Sequence, residues 1–234
     1  MKRFATTFLL LSVVFLAACA PRARNDSPRL SVEQFTGDVS FYPHATGAAW
    51  AYVPEGGQVE GSGLAAVVEG PRVINDDIWV ATEFIGLGID GALYRQYRSD
   101  GVFTLREDAS GSRTVYNPPL QEYPPESELR VGATWSGETT ANVFFPSAER
   151  AADRNQTFEV SYSYTVVDKR KVRLPIGELE VYVINRIGRA FNEEGDVADQ
   201  LTQEIWFSPF VGEVRTREGL FLARTNVRSR EASN

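Results

Sequence analysis

Few residues in this chain of 234 have both the type and the spacing to do chemistry. Gly86-Leu87-Gly88-Ile89-Asp90-Gly91 fits the Gly-x-Gly-x-x-Gly pattern. In a dinucleotide site that loop leads into a helix whose first amides hold the pyrophosphate. Here it leads into Ala92-Leu93-Tyr94-Arg95-Gln96-Tyr97-Arg98, a short alternating run that ends on Ser99-Asp100-Gly101. The glycines therefore read as a hairpin turn. His44 is the single histidine, and no Gly-x-Ser-x-Gly elbow accompanies it, so a Ser-His-Asp triad has no frame and His44 reads as a loop residue. One histidine and no thiol beyond residue 19 leave zinc short of ligands. Carboxylates gather at Asp76-Asp77 and from Glu193-Glu194-Gly195-Asp196 to Asp199. The second group lacks the Asp-x-Asp-x-Asp-Gly spacing of a calcium loop, and acidic hairpin tips are commonly solvated turns. The reading is no catalytic residue, no cofactor and no metal.

One position does carry a defined chemistry. Lys2 and Arg3 open the chain, and Phe4 to Phe15 follow as an apolar stretch interrupted only by Thr6, Thr7 and Ser12. Leu16-Ala17-Ala18-Cys19 then closes it with small residues before the only cysteine. A charged start, a short apolar run and a small-residue exit are the physical signature of a secretory signal. From Phe4 to Ala18 there are 15 residues, short of the roughly 20 that cross the hydrocarbon core. Leu-Ala-Ala-Cys resembles the lipobox of bacterial lipoproteins. That resemblance implies diacylglycerol on the Cys19 thiol, cleavage before Cys19 and acylation, as by palmitate, of the new amine. Cys19 has no partner for an intramolecular disulfide, which agrees with that use. Two or three acyl chains anchor a protein stably, at about 0.8 kcal/mol per buried methylene. Ala20 follows where some lineages place aspartate, which resembles the outer-membrane default if the organism is diderm.

Composition narrows the partners. The net charge of −7 becomes −9 once Lys2 and Arg3 depart with the signal. An acidic body argues against nucleic acid and leaves the acyl chains to hold the protein at the membrane. Aromatic residues make up 12% of the chain, which suits an ordered β-rich domain.

The elements that must position any site are strands. From Thr157 to Val167 the residues Phe158, Val160, Tyr162, Tyr164 and Val166 fall on one face and Glu159, Ser161, Ser163 and Thr165 on the other, the period of a half-buried strand. Shorter runs of the same period occur at 78–85, 92–98, 102–106, 179–187, 201–207 and 220–227. Turn residues punctuate them at Ser99-Asp100-Gly101, Ser110-Gly111-Ser112, Glu193–Asp196 and Arg217-Glu218-Gly219. Only Ser31 to Phe35 reads as helix-prone. The pattern predicts an all-β antiparallel protein of roughly 11 to 14 strands, a curved sheet or half-barrels with two similar halves.

The halves are suggested by a weak repeat. Tyr42-Pro43 precedes Gly47-Ala48-Ala49-Trp50-Ala51-Tyr52, and Pro124-Pro125 precedes Gly132-Ala133-Thr134-Trp135. Gly47 and Gly132 can take the positive φ of a tight turn ahead of a strand, with Trp50 and Trp135 burying large rings behind them. Between the repeats, Asn117 to Pro125 contains four prolines, which remove donors and fix backbone angles. The expected organisation is a signal at 1–18, a flexible tether at 19–30, a β-rich half at 31–116, a proline-rich connector at 117–125, a second half at 126–228 and a polar tail at 229–234. A long loop within one continuous sheet is the alternative reading of the connector. Tyr42-Pro43…Gly47-x-x-Trp50-x-Tyr52 and Pro175-x-Gly177-x-Leu179-Glu180-Val181-Tyr182, followed by Ile205-Trp206-Phe207-Ser208-Pro209-Phe210-Val211-Gly212, resemble uncharacterised bacterial surface lipoproteins. In those relatives the last segment reads Trp-Tyr-Ala-Pro-Gly-Val-Gly, so Phe207, Ser208 and Phe210 depart from it. The resemblance implies an exported β-rich fold and supplies no activity.

The functional expectation is a lipid-anchored envelope protein without enzymatic chemistry, held to the membrane by the N-terminal lipid. Its role is structural, an interaction with an envelope protein, or ligand binding. A sharper version is a carrier of an apolar ligand or lipid, resembling lipoprotein-shuttling half-barrels. Its cavity would be lined by Trp50, Tyr52, Trp135, Phe158, Tyr162, Tyr164 and Trp206, since curved sheets hold ligands in their interiors. The second alternative is an envelope hydrolase, which needs two of the clustered carboxylates to face each other across a cleft.

Overall fold

The computed structural model describes residues 39–57, 63–150, 154–192 and 194–227. The signal, Cys19, the tether, the helix expected at Ser31–Phe35, Glu193 and the polar tail lie outside the described residues. Among the described residues twelve strands follow one another: β1 (Ala49–Val53), β2 (Leu64–Ile74), β3 (Asp77–Gly86), β4 (Ile89–Arg98), β5 (Gly101–Ala109), β6 (Ser112–Tyr123), β7 (Thr134–Phe144), β8 (Asn155–Leu174), β9 (Gly177–Phe191), β10 (Val197–Ser208), β11 (Gly212–Arg215) and β12 (Phe221–Thr225). Each pairs antiparallel with its sequence neighbour, and β1 pairs with both β2 and β12. The sheet is one closed barrel. Closure removes the free sheet edges that an open sheet would expose.

Local sequence explains the turns. Asn75 and Asp76, with φ of 51° and 65°, join β2 to β3, and Leu87 and Gly88, with φ of 54° and 78°, join β3 to β4. Two successive left-handed residues make the two-residue turn whose twist matches the flanking strands. The Gly-x-Gly-x-x-Gly string is thus a hairpin, as read. Tyr162, Tyr164 and Val166 are buried along β8 while Glu159 is exposed, which is the alternation expected there.

The repeat has a structural counterpart. Gly47 and Gly132 both have φ of 85°. The Gly47 amide donates to Val68 O at 2.8 Å and the Val68 amide donates back to Ala48 O at 2.9 Å. The Gly132 amide donates to Val166 O at 2.8 Å and the Val166 amide returns to Ala133 O at 2.9 Å. The same glycine turn therefore hooks the start of β1 onto β2 and the start of β7 onto β8.

The proline-rich connector is corrected. Residues 117–123 belong to β6, and the boundary drawn between halves falls inside a barrel strand. Val115 pairs with Arg106 of β5, and the next β5 pairing joins Leu120 to Thr104, so residues 116–119 bulge out of that ladder. The prolines tolerate strand structure because they occupy a bulge, where no ladder donor is required. Thr139 of β7 donates its hydroxyl to Pro118 O at 2.6 Å.

Two clusters of buried side chains hold the barrel. One gathers Trp50, Tyr52, Leu64, Ala66, Val181, Val183 and Leu222, and the other Val102, Tyr123, Tyr162, Tyr164, Ile184, Ile205 and Phe207. Val183 and Ile184 are adjacent yet belong to different clusters, so β9 is buried on both faces. The segment before β1 packs on the second cluster. The Tyr42 ring lies 5.3 Å from Tyr123 and 5.2 Å from Phe207, and its hydroxyl donates to Pro124 O at 2.8 Å.

Candidate functional site

Along β4 the residues Gly91, Leu93, Arg95 and Tyr97 share one phase, and all four face a cavity of about 310 Å³ inside the barrel. A strand phase holding leucine and tyrosine normally carries no charge, so Arg95 marks a special place. Its partner comes from two strands away. Arg95 Nε donates to Glu122 Oε2 at 2.6 Å and Nη2 donates to Oε1 at 2.8 Å, a bidentate pair. Thr104, the register partner of Arg95 on β5, donates its hydroxyl to Glu122 Oε2 at 2.9 Å. β4, β5 and β6 thus present one hydrogen-bonded row to the lumen.

The row is met from across the barrel. Tyr123 on β6 donates its hydroxyl to Glu213 Oε1 on β11 at 2.9 Å, and Arg95 Nη2 stands 3.8 Å from the same oxygen. Tyr52 on β1 donates to Glu213 O at 3.1 Å. A second ionic group closes another part of the wall: Arg217 reaches Glu107 with both terminal nitrogens and donates Nε to Glu218 Oε1 at 2.7 Å. The rest of the lining is small or apolar and includes Leu64, Ala66, Thr82, Phe84 and Ala92. Small inward side chains are the reason that space remains here.

Burial and pairing set the charges. Burial alone raises the Glu122 carboxyl, but the Arg95 guanidinium overcomes it and holds the group below its usual range. Glu213 goes the other way: burial pushes its carboxyl up, and Arg95 offsets only part of the rise. Burial likewise raises the hydroxyls of Tyr52, Tyr97 and Tyr123 above the ordinary tyrosine value. Removing ions from water costs several kcal/mol each, so this row is poor material for stability alone. Perturbed charges in a concave site are a mark of function.

The residues anticipated for a cavity divide sharply. Trp50 and Tyr52 stand on its wall, with Trp50 donating its indole N–H to Val211 O at 2.6 Å. Gly212 follows at φ of 102°, and a Cβ there would lie 3.3 Å from Trp50 Nε1. The Gly-x-x-Trp and Pro-x-Val-Gly segments therefore meet as packing partners. Trp135, Phe158, Tyr162, Tyr164 and Trp206 do not line the cavity. Trp135 stacks on Tyr164 at 5.0 Å with Tyr162 edge-on to Tyr164 at 6.1 Å, and these rings fill the interior instead of bounding a space. Phe158 lies farther toward the start of β8 and is half-buried. Trp206 pairs in register with Val183, on the other face of β10 from Ile205, and sits under the Arg170 guanidinium at 4.6 Å.

The clustered acids are elsewhere. Asp76 and Asp77 lie at the β2–β3 hairpin, and Glu194 and Asp196 lie between β9 and β10, all exposed. Asp77 borders an open pocket with Ile78, Gln96 and Arg98 that holds no second carboxylate, so these described acids form no facing pair of the kind the hydrolase alternative needs. No group of three or more metal-ligating side chains occurs among the described residues. His44 Nδ1 lies 2.7 Å from Tyr42 O and its ring stacks on Tyr97 at 4.0 Å, a packing role in the segment before β1. Sequence reading missed Arg95, Glu122, Glu213 and Arg217. The available signal was a charge in the apolar phase of a strand, as in Leu93-x-Arg95-x-Tyr97 and Leu120-x-Glu122.

No protein-family model matches the chain, nor does any curated protein. Among solved structures, a protein from Parabacteroides distasonis provisionally described as a lipoprotein is 10% identical, with a TM-score of 0.41 over 81% of this chain and 100% of that one. A protein from Bacteroides fragilis provisionally described as exported, with a YmcC-like fold, is 13% identical, with a TM-score of 0.39 over 80% of this chain and 99% of that one. At these scores neither likeness bears on what this chain does.

Proposed function

We propose that this chain is an exported, lipid-anchored cell-envelope protein whose barrel receives or carries a small ligand with an apolar body. The observation that carries the reading is the cavity itself: about 310 Å³ inside a closed sheet, walled by small, apolar and aromatic side chains and bounded by a buried ionic row. Pockets for small molecules begin at about this size and pair an apolar lining with a few placed polar groups. The Leu16-Ala17-Ala18-Cys19 segment supports the anchor and the export. The role is binding without turnover.

Native mass spectrometry of the mature chain, purified without detergent, tests the ligand. A co-purifying small molecule, lost in Ala66→Leu while the melting temperature stays nearly unchanged, is the expected result. Absence of any bound molecule, together with no uptake of an apolar fluorophore, removes the reading. For the anchor, Cys19→Ala is expected to stop labelled palmitate incorporation and to release the protein from the membrane fraction. Retention through an uncleaved N-terminal segment would overturn that part.

A further inference from the structure

We propose that the ligand is cationic at one end: an apolar body ending in an amine, and not a fatty acid or a phosphate-bearing lipid. The inference rests on the ligand-binding reading and names its substrate class. Seven acidic or guanidinium side chains line the cavity: Arg95 and Arg217 against Glu107, Asp108, Glu122, Glu213 and Glu218. Asp108 is matched from its own side of the wall by Arg106 and Arg113. The others sort into two groups, each with one guanidinium between two carboxylates: Arg95 with Glu122 and Glu213, and Arg217 with Glu107 and Glu218. Both cations are already committed, so an anionic headgroup would meet surplus negative charge in a medium that screens it poorly.

Glu213 is where the surplus is accessible. One of its oxygens takes the Tyr123 hydroxyl, while Oε2 accepts no hydrogen bond among the described residues. Its side chain keeps 20% of its accessible surface, and Glu213 belongs to the cavity wall. Tyr97, Tyr123 and Trp50 offer aromatic surface around the same space, and ring faces attract ammonium groups. A protonated amine placed beside Glu213 supplies the missing donor. It also gives each carboxylate of the Arg95 group a cationic partner, and the alkyl body then lies along Leu64, Ala66 and Phe84.

The test compares three ligands with one chain length, decylamine, decanol and decanoate, below their micellar concentrations at neutral pH. Binding to the mature chain is read by displacement of a neutral apolar fluorophore. Decylamine is expected to bind about tenfold tighter than decanol, as one charge-assisted hydrogen bond warrants, with decanoate the weakest. In Glu213→Gln the preference for amine over alcohol is expected to shrink toward unity. Equal or tighter binding of decanoate, or an unchanged amine-to-alcohol ratio in Glu213→Gln, overturns the headgroup assignment while the cavity reading stands. Failure of all three ligands to bind, decanol included, overturns both.

Discussion

Where β7, β8, β9 and β10 face the lumen, Trp135, Tyr162, Tyr164, Ile184, Ile205 and Phe207 pack rings and branched chains into one cluster. Where β1 to β5 and β11 face it, Ala66, Thr82, Gly91, Ala92 and Gly212 leave a void, and Trp50, Tyr52, Phe84 and the ionic row stand around it. Val102, Tyr123 and Phe207 belong to both regions and form the wall between them. Both regions use the same antiparallel ladder, so the difference is one of side-chain volume. The filled region gains dispersion and apolar burial. The hollow region forgoes both and buries ions as well, an arrangement that contributes to binding more readily than to folding.

The contrast can be broken first on its filled side. Tyr164 is fully buried between Trp135 and Tyr162, and Tyr164→Ala is expected to cost about 4 kcal/mol by urea denaturation, the usual loss for a large core ring. Next comes the ionic row. Glu122→Gln leaves the Arg95 guanidinium with only Glu213, at 3.8 Å, and is expected to cost about 3 kcal/mol in the same assay because a buried charge loses its partner. Acid should act similarly: the Glu122 carboxyl is held below its ordinary value, so its contribution is present above the unfolded pKa and is lost as pH falls through the folded one.

A finer cut adds methyl groups to both sides. A Cβ at Gly137 would lie 2.5 Å from the Tyr162 hydroxyl oxygen, so Gly137→Ala should destabilise by about 2 kcal/mol through overpacking. Ala66→Leu points into the cavity and should change stability by less than about 1 kcal/mol while weakening fluorophore uptake. If the two substitutions cost the same, the void is not open to a ligand. The smallest effect concerns Glu213. Its carboxyl sits above the ordinary value of 4.5, so the folded chain binds that proton more tightly than the unfolded one. The charged form therefore costs stability as pH rises through the folded value. Glu213→Gln should match the native chain near about pH 4 and gain on it toward about pH 8, as melting temperatures across that range would show.

The filled region was legible in the sequence and the hollow one largely was not. Period-two alternation from Phe158 to Val166 identifies β8 and its buried face, because a half-buried strand has no other way to write itself. Alternation says which face is inward, yet it cannot say whether inward rings meet one another or surround a space. Tyr162 and Tyr164 were therefore placed on a cavity that they in fact fill. Arg95, Glu122 and Glu213 escaped because they come from three strands, and the closure that unites them depends on register. Residues 117–125 misled for a related reason: prolines forbid a regular ladder, but a bulge needs no donor from them. Gly47 and Gly132 were read correctly, since a backbone demand for positive φ is local and appears as glycine.

The pairing of β1 with β12 has a consequence in time. The Ala49 amide donates to Oδ1 of Asn226, 177 positions later, at 2.7 Å. A chain made from its N-terminus thus carries β1 with one edge unpaired until Phe221–Thr225 has been synthesised. Contacts this distant in sequence close late, because the intervening loop must be ordered before they form. Until then Trp50, Tyr52 and Leu64 face an open trough, and the compartment that could hold a ligand does not yet exist. Loss of residues 221–227 would leave β1 and β11 as two free edges, with self-association as the expected fate of such a sheet.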